Sequence, residues 1–240
     1  AEESRREKPP KPIGIKAYGS IGHLPNSRMG PGDSHIAPGQ ARICCETTRD
    51  RHDLIIVQEK IDGSCTAVVK MDGKIIALGR AGYPAATSPY EQHHLFARWV
   101  DENHARFDDV LEEGERLVGE WLAQAHGTRY DLPHEPWVAF DLMTGHARLT
   151  VAELEARLLD LFVMPRLLHK GGPLAVADML PMIAISGHGA IDPVEGAVWR
   201  VERKGQVDYL AKYLRPEKKD GIYLPEVSGK EAMWNWRPDV

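Results

Sequence analysis

The sequence lacks several features that define common protein classes. It has three cysteines, of which Cys44 and Cys45 are adjacent and Cys65 stands alone, and it has no CxxC pair. Neither a disulfide framework nor a structural zinc site is therefore expected. No HExxH motif occurs, and no apolar run approaches the roughly 20 residues that cross a bilayer. Residues 1–12 are charged and proline-rich, without the apolar segment of a signal peptide. These absences predict a cytoplasmic protein that does not enter a membrane.

The overall composition is that of a globular protein. Hydrophobic residues make up 42% and charged residues 27% of the 240 positions, which allows one core or two small cores that share a cleft. A net charge of −5 argues against a non-specific nucleic-acid binder but permits an enzyme with a local basic groove. Seven of the 30 lysines and arginines fall within residues 200–219, although such runs more often form a solvated face.

The order of predicted elements indicates an α+β fold with largely antiparallel sheets. Residues 1–12 are predicted to be a flexible tail and residues 13–240 a single domain. Residues 14–40 are rich in Gly, Pro, Ser and Asn and predict an extended loop. Apolar and alternating patterns predict strands over 54–59, 66–71, 74–78, 118–122, 137–142, 196–201 and 206–210. Helical patterns cover 90–104, 150–162 and 175–183, and Thr150 with Glu153 forms a capping box at the start of the second.

The most informative local motif is EKIDGS, which centres on Lys60. This lysine follows a hydrophobic strand and precedes an Asp-Gly turn. Burial in a cleft would disfavour its charged form and leave a neutral nucleophile near pH 7. The alternative is a strand-end lysine whose stem lies along apolar surface beside a hairpin turn. Because K-x-D-G arises by chance in about one chain in twenty of this size, the motif carries weight only with others.

Four further motifs follow in order, each with a charged or aromatic residue in an apolar strand. They are LVGEWL around Glu120, WVAFDLM around Phe140, EGAVWR around Glu195 and YLAKYLRP around Lys212. Buried charges are costly unless they are paired or bind something, so several together indicate a shared charged ligand. With Lys60, this ordered set resembles the covalent nucleotidyltransferase superfamily of ATP-dependent DNA ligases, RNA ligases and mRNA capping enzymes. Within it the chain is most similar to the RNA ligase 2-like branch, from about residue 18 to residue 229.

The resemblance implies a ligase adenylation domain and a three-step reaction. Lys60 would attack the α-phosphate of ATP and form lysyl-AMP, with Mg²⁺ or Mn²⁺ as cofactor. The AMP would pass to a 5′-phosphate end, and a 3′-hydroxyl would then displace it to seal the strand, as in RNA repair. The expected partner is nucleic acid, as RNA ends or nicks or an RNA/DNA hybrid, and the sequence identifies no protein partner. No GxxxxGKS or GxxxxGKT loop is present, and neither an OB domain nor a sixth motif is recognisable.

The resemblance also implies a role for each motif residue. Glu195 would bind the metal, since Mg²⁺ takes one or two carboxylates with phosphate and water; its alternative is an ion pair with Arg200 or Lys212. Lys212 would contact the α-phosphate, unless it faces solvent. Glu120 would accept a hydrogen bond from a ribose hydroxyl. Phe140 would stack on adenine or simply be core.

The remaining predicted nucleotide contacts surround the nucleophile. Glu59 would read the adenine amino group, with an exposed strand carboxylate as the alternative, and Asp62 and Gly63 complete the first motif, although Asp62 would equally shape the turn. Arg80 would contact phosphate or ribose, or form a surface salt bridge. The fifth motif lacks its usual second lysine, and either Arg215 or Lys218 would replace that cation.

Two other segments are candidates for nucleic-acid contact. Arg28, Asp33 and His35 lie in the loop of residues 19–40 and would contact phosphates or strand ends. Trp234 and Trp236 would stack bases if exposed, or pack the C-terminus onto the domain. The functional alternatives to an RNA ligase are a DNA ligase, a capping-type guanylyltransferase and a catalytically inactive nucleic-acid-binding relative. Retention of the motif lysines and glutamates argues against the last of these.

Overall fold

A computed structural model describes residues 7–239 of the chain. Its strands are β1 (Gly22–His23), β2 (Asp53–Lys60), β3 (Ser64–Met71), β4 (Lys74–Gly79), β5 (Arg116–Trp121), β6 (Trp137–Thr144), β7 (Ala147–Arg148), β8 (Leu167–Gly171), β9 (Gly196–Arg203) and β10 (Gln206–Leu214). The α-helices are α1 (Pro38–Cys45), α2 (Glu91–Glu102), α3 (His104–Val110), α4 (Val151–Leu158), α5 (Val176–Met179) and α6 (Pro225–Ser228). Within residues 7–239, no helix combines the length and apolar character that a membrane span requires.

The strands form two five-stranded sheets. Sheet A has the order β1-β10-β9-β2-β8, and sheet B has the order β4-β3-β5-β6-β7. All neighbouring strands are antiparallel except β1 and β10. The prediction of an α+β fold with largely antiparallel sheets is therefore confirmed.

Helices cover the outer faces of the sheets and leave a cleft between the inner faces. Beside sheet B, α2, α3 and α4 pack around an aromatic core that includes Phe107, Trp121 and Trp137. Along β5, Leu117 and Trp121 enter this core, whereas Val118 belongs to a second cluster, which also contains Tyr18. This alternation follows from the two-residue period of a strand, and it directs Glu120 towards the cleft.

The first motif joins the two sheets. Strand β2 ends at Lys60 in sheet A, and β3 begins at Ser64 in sheet B. The hairpin turn considered in the alternative interpretation of Lys60 does not form, because Ile61, Asp62 and Gly63 carry the chain from one sheet to the other. A Cβ on Gly63 would lie 2.4 Å from the carbonyl oxygen of Trp121, so only glycine fits this crossing.

Most predicted strands and helices occur, with differences at their ends. The 150–162 helix begins with the predicted capping box of Thr150 and Glu153 but ends at Leu158, because Leu159 turns into positive φ (50°). The 175–183 helix divides into α5 and a 3-10 turn, and α3 and β8 were not predicted.

The N-terminal part of the chain is more regular than its composition indicates. Within the predicted loop of residues 14–40, β1 pairs with β10 and α1 begins at Pro38. Residues 1–6 of the predicted tail lie outside the described residues. Farther along it, the Lys8 and Lys11 ammonium groups lie 5.7 and 5.0 Å from the centre of the Tyr83 ring.

Candidate active site

The cleft contains a cavity of about 740 Å³, here called the inner cavity. Its wall on sheet A comes from β2, β9 and β10, where Val198 is paired with both Gln58 and Lys212. The complete lining is Tyr18, Gly19, Ile21, Gln58, Glu59, Lys60, Ile61, Cys65, Arg80, Glu120, Phe140, Pro165, Val198, Arg200, Leu210 and Lys212. Six of the nine predicted site residues thus line one cavity, and they come from both sheets.

Lys60 lies among carboxylates at the end of β2. Its Nζ is 3.6 Å from Oε2 of Glu195, and its side chain is 22% exposed. Burial lowers the pKa of Lys60, but the charges of Glu195, Glu120 and Asp62 outweigh burial and raise that pKa above its ordinary value. The expectation of a neutral amine is therefore wrong for this site without a nucleotide, because the carboxylates stabilise the ammonium form.

The carboxylates that surround Lys60 are themselves perturbed. Burial, with the nearby charges of Asp62 and Glu195, raises the pKa of Glu120 to about 7, against the opposing effect of Lys60. Burial likewise raises the pKa of Glu195. Perturbed carboxylates beside a buried lysine are common at functional sites.

Glu195 is the best-supported metal ligand in the described part of the chain. It precedes β9, and its Oε2 is buried without a hydrogen-bond partner, whereas Nη2 of Arg28 lies 3.5 Å from Oε1. No group of three or more His, Cys, Asp or Glu side chains within residues 7–239 forms a metal-binding cluster. One carboxylate suffices for Mg²⁺ when phosphate oxygens and water complete its coordination, so Oε2, which accepts no hydrogen bond, fits such an ion.

Arg28 lies beside Glu195, a contact that the sequence pattern does not predict. Its side chain is 16% exposed and donates to the carbonyl of Arg215 (2.6 Å) and to Oδ1 of Asp220 (2.6 Å). Lys218, one of the two predicted second cations, donates to Thr128 Oγ1 and the Pro193 carbonyl, and burial lowers its pKa against the nearby charges of Asp62 and Glu195. The other, Arg215, lies 3.8 Å from Glu217.

Lys212 and Arg80 both face the inner cavity. Burial and the neighbouring charge of Lys60 lower the pKa of Lys212, so Lys212 is not the solvent-facing lysine of the alternative interpretation. Arg80 is exposed and donates to the Gly19 carbonyl (3.3 Å) and Ser20 Oγ (3.2 Å). Both cations lie in the cavity wall, where phosphate oxygens would neutralise their charges.

Phe140 combines its two proposed roles. It is partly buried against the cluster that contains Tyr18, whose ring meets it edge-on at 5.2 Å. It also lines the inner cavity. A ring held in this way is available for stacking while it packs against the core.

Glu59 is buried, which excludes the exposed carboxylate considered as an alternative. Its oxygens accept from Ser186 Oγ (2.6 Å) and the Gly187 backbone N–H (2.8 Å), and Arg166 Nε lies 4.0 Å away. The loop after the 3-10 turn of residues 180–183 therefore fixes this carboxylate at the edge of the cavity.

Asp62 connects the crossing between the sheets to the loop after β5. Its Oδ2 accepts from the Gly127 N–H at 2.9 Å, and its own N–H donates to Tyr130 Oη at 2.9 Å. Asp62 and Gly63 line not the inner cavity but a neighbouring one. Asp62 thus shapes the backbone beside Lys60, as the structural alternative supposed.

The two other candidate segments have mainly structural contacts. His23 Nε2 lies 3.1 Å from Oδ2 of Asp33, and the backbone of His35 forms an isolated parallel β-bridge with His23. Trp234 and Trp236 pack against the aromatic core, with Trp236 5.5 Å from Trp121. The tryptophans therefore anchor the C-terminus, as the second interpretation held.

Sequence reasoning missed a buried polar network at the back of the inner cavity. Arg200 on β9 donates to Oδ1 of Asp141 on β6 (2.8 Å) and to the carbonyl of Phe140 (3.2 Å). Tyr18 Oη and Arg148 Nη1 share the other carboxylate oxygen, at 2.6 and 3.0 Å. The sequence signal for this network was Asp141, which directly follows Phe140 in an apolar strand. A buried aspartate needs a cation as its partner.

Comparisons with known proteins agree with this geometry. The family model described as RNA ligase matches residues 53–214, whereas no curated protein gives a significant match. A Naegleria gruberi RNA ligase mutant with ATP and Mn is 16% identical, with a TM-score of 0.54, and the match covers 87% of this chain and 62% of that one. The Naegleria ligase with PPi is 18% identical, with a TM-score of 0.52 and coverage of 75% and 53%. These similarities concern the fold.

An archaeal ATP-dependent RNA ligase is also similar, at 21% identity and a TM-score of 0.47, over 68% of this chain. The chain spans 42% of the length of that ligase. The region matched by the family model includes Lys60, Glu120, Glu195 and Lys212, and it exceeds half of the 240 residues. The chain belongs to the RNA ligase family.

Proposed function

We propose that this chain joins RNA 5′-phosphate and 3′-hydroxyl ends in an ATP-dependent reaction through a lysyl-AMP intermediate. The observation that carries the proposal is Lys60 in a cavity wall shared with Glu120 and Lys212, its Nζ 3.6 Å from Glu195. A lysine that only packed its stem would not need three carboxylates and a second lysine around its amine. In this setting the amine is available as a nucleophile once its proton is lost.

The cavity residues would bind the nucleotide in a defined orientation. Phe140 would stack on the base, Glu120 would accept from a ribose hydroxyl, and Glu59 lies at the edge where a base amino group would be read. Lys212 and Arg80 would neutralise the α-phosphate, because phosphoryl transfer depends mainly on positioning and charge stabilisation. Glu195 would hold a divalent metal through Oε2, which accepts no hydrogen bond, and that metal would supply positive charge beside the reacting phosphate.

The state of Lys60 follows from the same charges. Because Glu195 and Glu120 raise the pKa of Lys60, any cation that neutralises them would lower it and favour the free amine. The solved Naegleria structures with ATP and Mn support the choice of nucleotide and metal. The three free cysteines fit a reducing compartment, so a cytoplasmic location is part of the proposal.

The test is transfer of label from α-labelled ATP to the protein, with Mg²⁺ or Mn²⁺. We expect an acid-labile adduct in the parent protein and none in Lys60→Ala, with Lys70→Ala as a control lysine on β3 that pairs with Asp108. Prior occupancy by AMP is excluded by intact mass. A label taken only from GTP would indicate capping-type chemistry, and no label from either nucleotide would favour an inactive binding relative. Sealing assays with RNA, DNA and hybrid nicks then separate RNA from DNA ligation.

A further inference from the structure

A second and more open cavity, of about 1530 Å³, adjoins the inner cavity. We call it the outer cavity. The two share the side chains of Lys60, Cys65, Arg80 and Glu120, which form the boundary between them. Beyond this boundary the outer cavity is lined by Asp62, Gly63 and Glu195 and by residues that the proposed nucleotide site does not use, from the segments before and at the start of α2 and from the loop after β5.

The lining of the outer cavity is rich in hydroxyl, imidazole and phenol groups. His93 lies between two hydroxyls, with Ser64 Oγ 2.9 Å from its Nε2 and Ser88 Oγ 2.6 Å from its Nδ1. Tyr90 meets the His93 ring edge-on at 5.7 Å, yet its side chain is 58% exposed. Such groups hydrogen-bond to sugar hydroxyls and stack on bases.

One further contact and the charged residues define the chemistry of this lining. Nε2 of His126 lies 3.2 Å from Oε1 of Gln92, and because an amide oxygen only accepts, the His126 Nε2 carries the proton. Its Nδ1 is then an acceptor. Apart from the boundary residues Lys60 and Arg80, Lys8 is the one cation of the lining, whereas Asp62 and Glu195 are carboxylates. A phosphate-rich group would fit this composition poorly, but a neutral nucleoside would fit it well.

The geometry of phosphoryl transfer indicates which nucleoside the outer cavity would bind. In phosphoryl transfer the attacking and leaving oxygens lie on opposite sides of the phosphorus. If AMP leaves into the inner cavity, the attacking hydroxyl must approach from across the boundary residues, where the outer cavity opens. We propose that the outer cavity binds the terminal nucleoside of the strand whose 3′-hydroxyl is joined, with Tyr90 stacking on its base and His93 contacting its sugar. This assignment rests on the proposed function.

In the sealing step the 3′-oxygen forms a new bond to the phosphorus of the adenylylated 5′ end. The bond between that phosphorus and the AMP oxygen breaks, and AMP leaves with the electron pair. The hydroxyl proton passes to water through the open side of the cavity. The part of the outer cavity around Tyr90 and His93 thus positions the attacking group and does not contact Lys60 during formation of lysyl-AMP.

The test compares Tyr90→Ala and His93→Ala with the parent protein. Arg98→Ala is the matched control, because Arg98 lies on the same helix and is exposed against Glu102. Fluorescence anisotropy gives the affinity for a labelled short RNA that ends in a 3′-hydroxyl and for the same RNA with a 3′-phosphate. Single-turnover sealing of a pre-adenylylated strand reports the last step alone, and labelling with ATP reports the first.

We expect each variant to weaken binding of the 3′-hydroxyl strand and to slow sealing by about tenfold, the loss of one stacked or hydrogen-bonded contact. Adduct formation should stay at the parent level. The parent should bind the 3′-phosphate end more weakly than the 3′-hydroxyl end, and the difference should disappear in His93→Ala. If His93→Ala does not fold, Tyr90→Ala carries the test, because its side chain is largely exposed.

Two results would overturn the assignment. One is unchanged strand binding and sealing in Tyr90→Ala while Lys60 still forms its adduct. The other is slower adduct formation in these variants, which would mean that the outer cavity holds the triphosphate of ATP. If the parent forms no adduct, the proposed function fails and the assignment fails with it, and Tyr90-dependent binding of the strand would then show only that the outer cavity binds RNA.

Discussion

At the scale of single residues, the charge on Lys60 decides when the site becomes reactive. The lysine is surrounded by Glu120, Glu195 and Asp62, which raise its pKa although burial lowers it. A protonated amine cannot attack phosphorus. Under the proposed function, the carboxylates would keep this amine protonated until nucleotide and metal alter the balance of charge.

Glu195→Gln tests this coupling without any substrate. Removal of one nearby negative charge should lower the pKa of Lys60, so the amine should react at lower pH than in the parent. The measurement is acylation of Lys60 by an amine-reactive reagent across a pH series, read by peptide mass spectrometry. Glu155→Gln, an exposed change on α4, is the control. A Lys60 profile that does not move in Glu195→Gln would contradict the proposed origin of the raised pKa.

The sequence allowed the identities of these residues to be predicted but not all their partners. Lys60, Glu120, Glu195 and Lys212 were found from their motifs, since charged residues in apolar strands need a reason. The pairing of Arg28 with Asp220 joins residues far apart in the chain. No local pattern reports such a contact, so the position of Arg28 beside Glu195 was not predicted.

At the scale of elements, α4 shows how local signals fix one end of a helix and not the other. Thr150 Oγ1 accepts from the Glu153 N–H (3.2 Å), and Glu153 Oε1 accepts from the Thr150 N–H (3.1 Å). This start was predicted from the sequence. The C-terminal end of α4 was not predicted, because Leu159 leaves the helical conformation where packing directs the chain towards β8.

Thr150→Ala should destabilise the protein by about 1 kcal/mol, the usual cost of losing an N-cap side chain. The reason is that the Glu153 N–H loses its partner at a buried helix end. Urea unfolding followed by circular dichroism gives the free energy of unfolding. Thr150→Ser keeps the cap and serves as the control; an equal loss in both variants would show that the methyl group, not the cap, is responsible.

The scale of elements also explains where the side chains of the basic segment, residues 200–219, lie. A solvated face was the expectation from composition, but Arg200 is buried against Asp141 and Arg203 pairs with Asp50 and Asp53. Alternation along β9 sends these side chains to different partners. A run of charge in sequence is therefore not a patch in space here.

At the scale of the whole molecule, one ion pair bridges the two sheets. Arg200 of sheet A is 2% exposed and Asp141 of sheet B is fully buried, with 2.8 Å between Nη1 and Oδ1. Removal of one partner of a buried pair leaves an uncompensated charge, and we expect Asp141→Asn to destabilise the protein by about 3 kcal/mol or more. The free energy of unfolding in urea checks this.

A double variant separates charge from shape in the same experiment. Asp141→Leu with Arg200→Met removes both charges, and we expect its loss of stability to be smaller than the sum of the single losses. Additive losses would show that the pair does not join the sheets energetically. Nucleotide affinity should also fall in Asp141→Asn, because Arg200 contacts the Phe140 carbonyl.

The acid stability of the molecule should depend on His188. The Arg166 N–H donates to His188 Nε2 (3.0 Å), so Nδ1 carries the proton and donates to His134 Nε2 (2.8 Å). This neutral ring is 2% exposed. Burial, with the charges of His134 and Arg166, lowers the pKa of His188 from 6.5 to about 4.

Between pH 6.5 and about 4 the unfolded chain binds a proton at His188 and the folded chain does not. Stability should therefore fall as the pH falls through this window and become independent of this group below it. One pKa unit corresponds to about 1.4 kcal/mol, so the expected loss is on the order of 3 kcal/mol. Unfolding free energies at several pH values should show this slope in the parent and a flatter one in His188→Gln. Equal slopes would contradict the assignment.

The sequence by itself indicated the family of this protein and most of its strands. Five motifs in order carry the resemblance, because each places a charged or aromatic side chain in an apolar strand, and that pattern is local. The alternation of side chains along β5 and β9 likewise follows from the period of a strand.

Only the tertiary structure decided that the first motif crosses between two sheets, that Asp141 and Arg200 hold those sheets together, and that a second cavity opens beside Lys60. These features depend on contacts between residues that are distant in sequence. Their energies come from burial and pairing across the cleft, and a one-dimensional pattern contains no record of which side chains meet there.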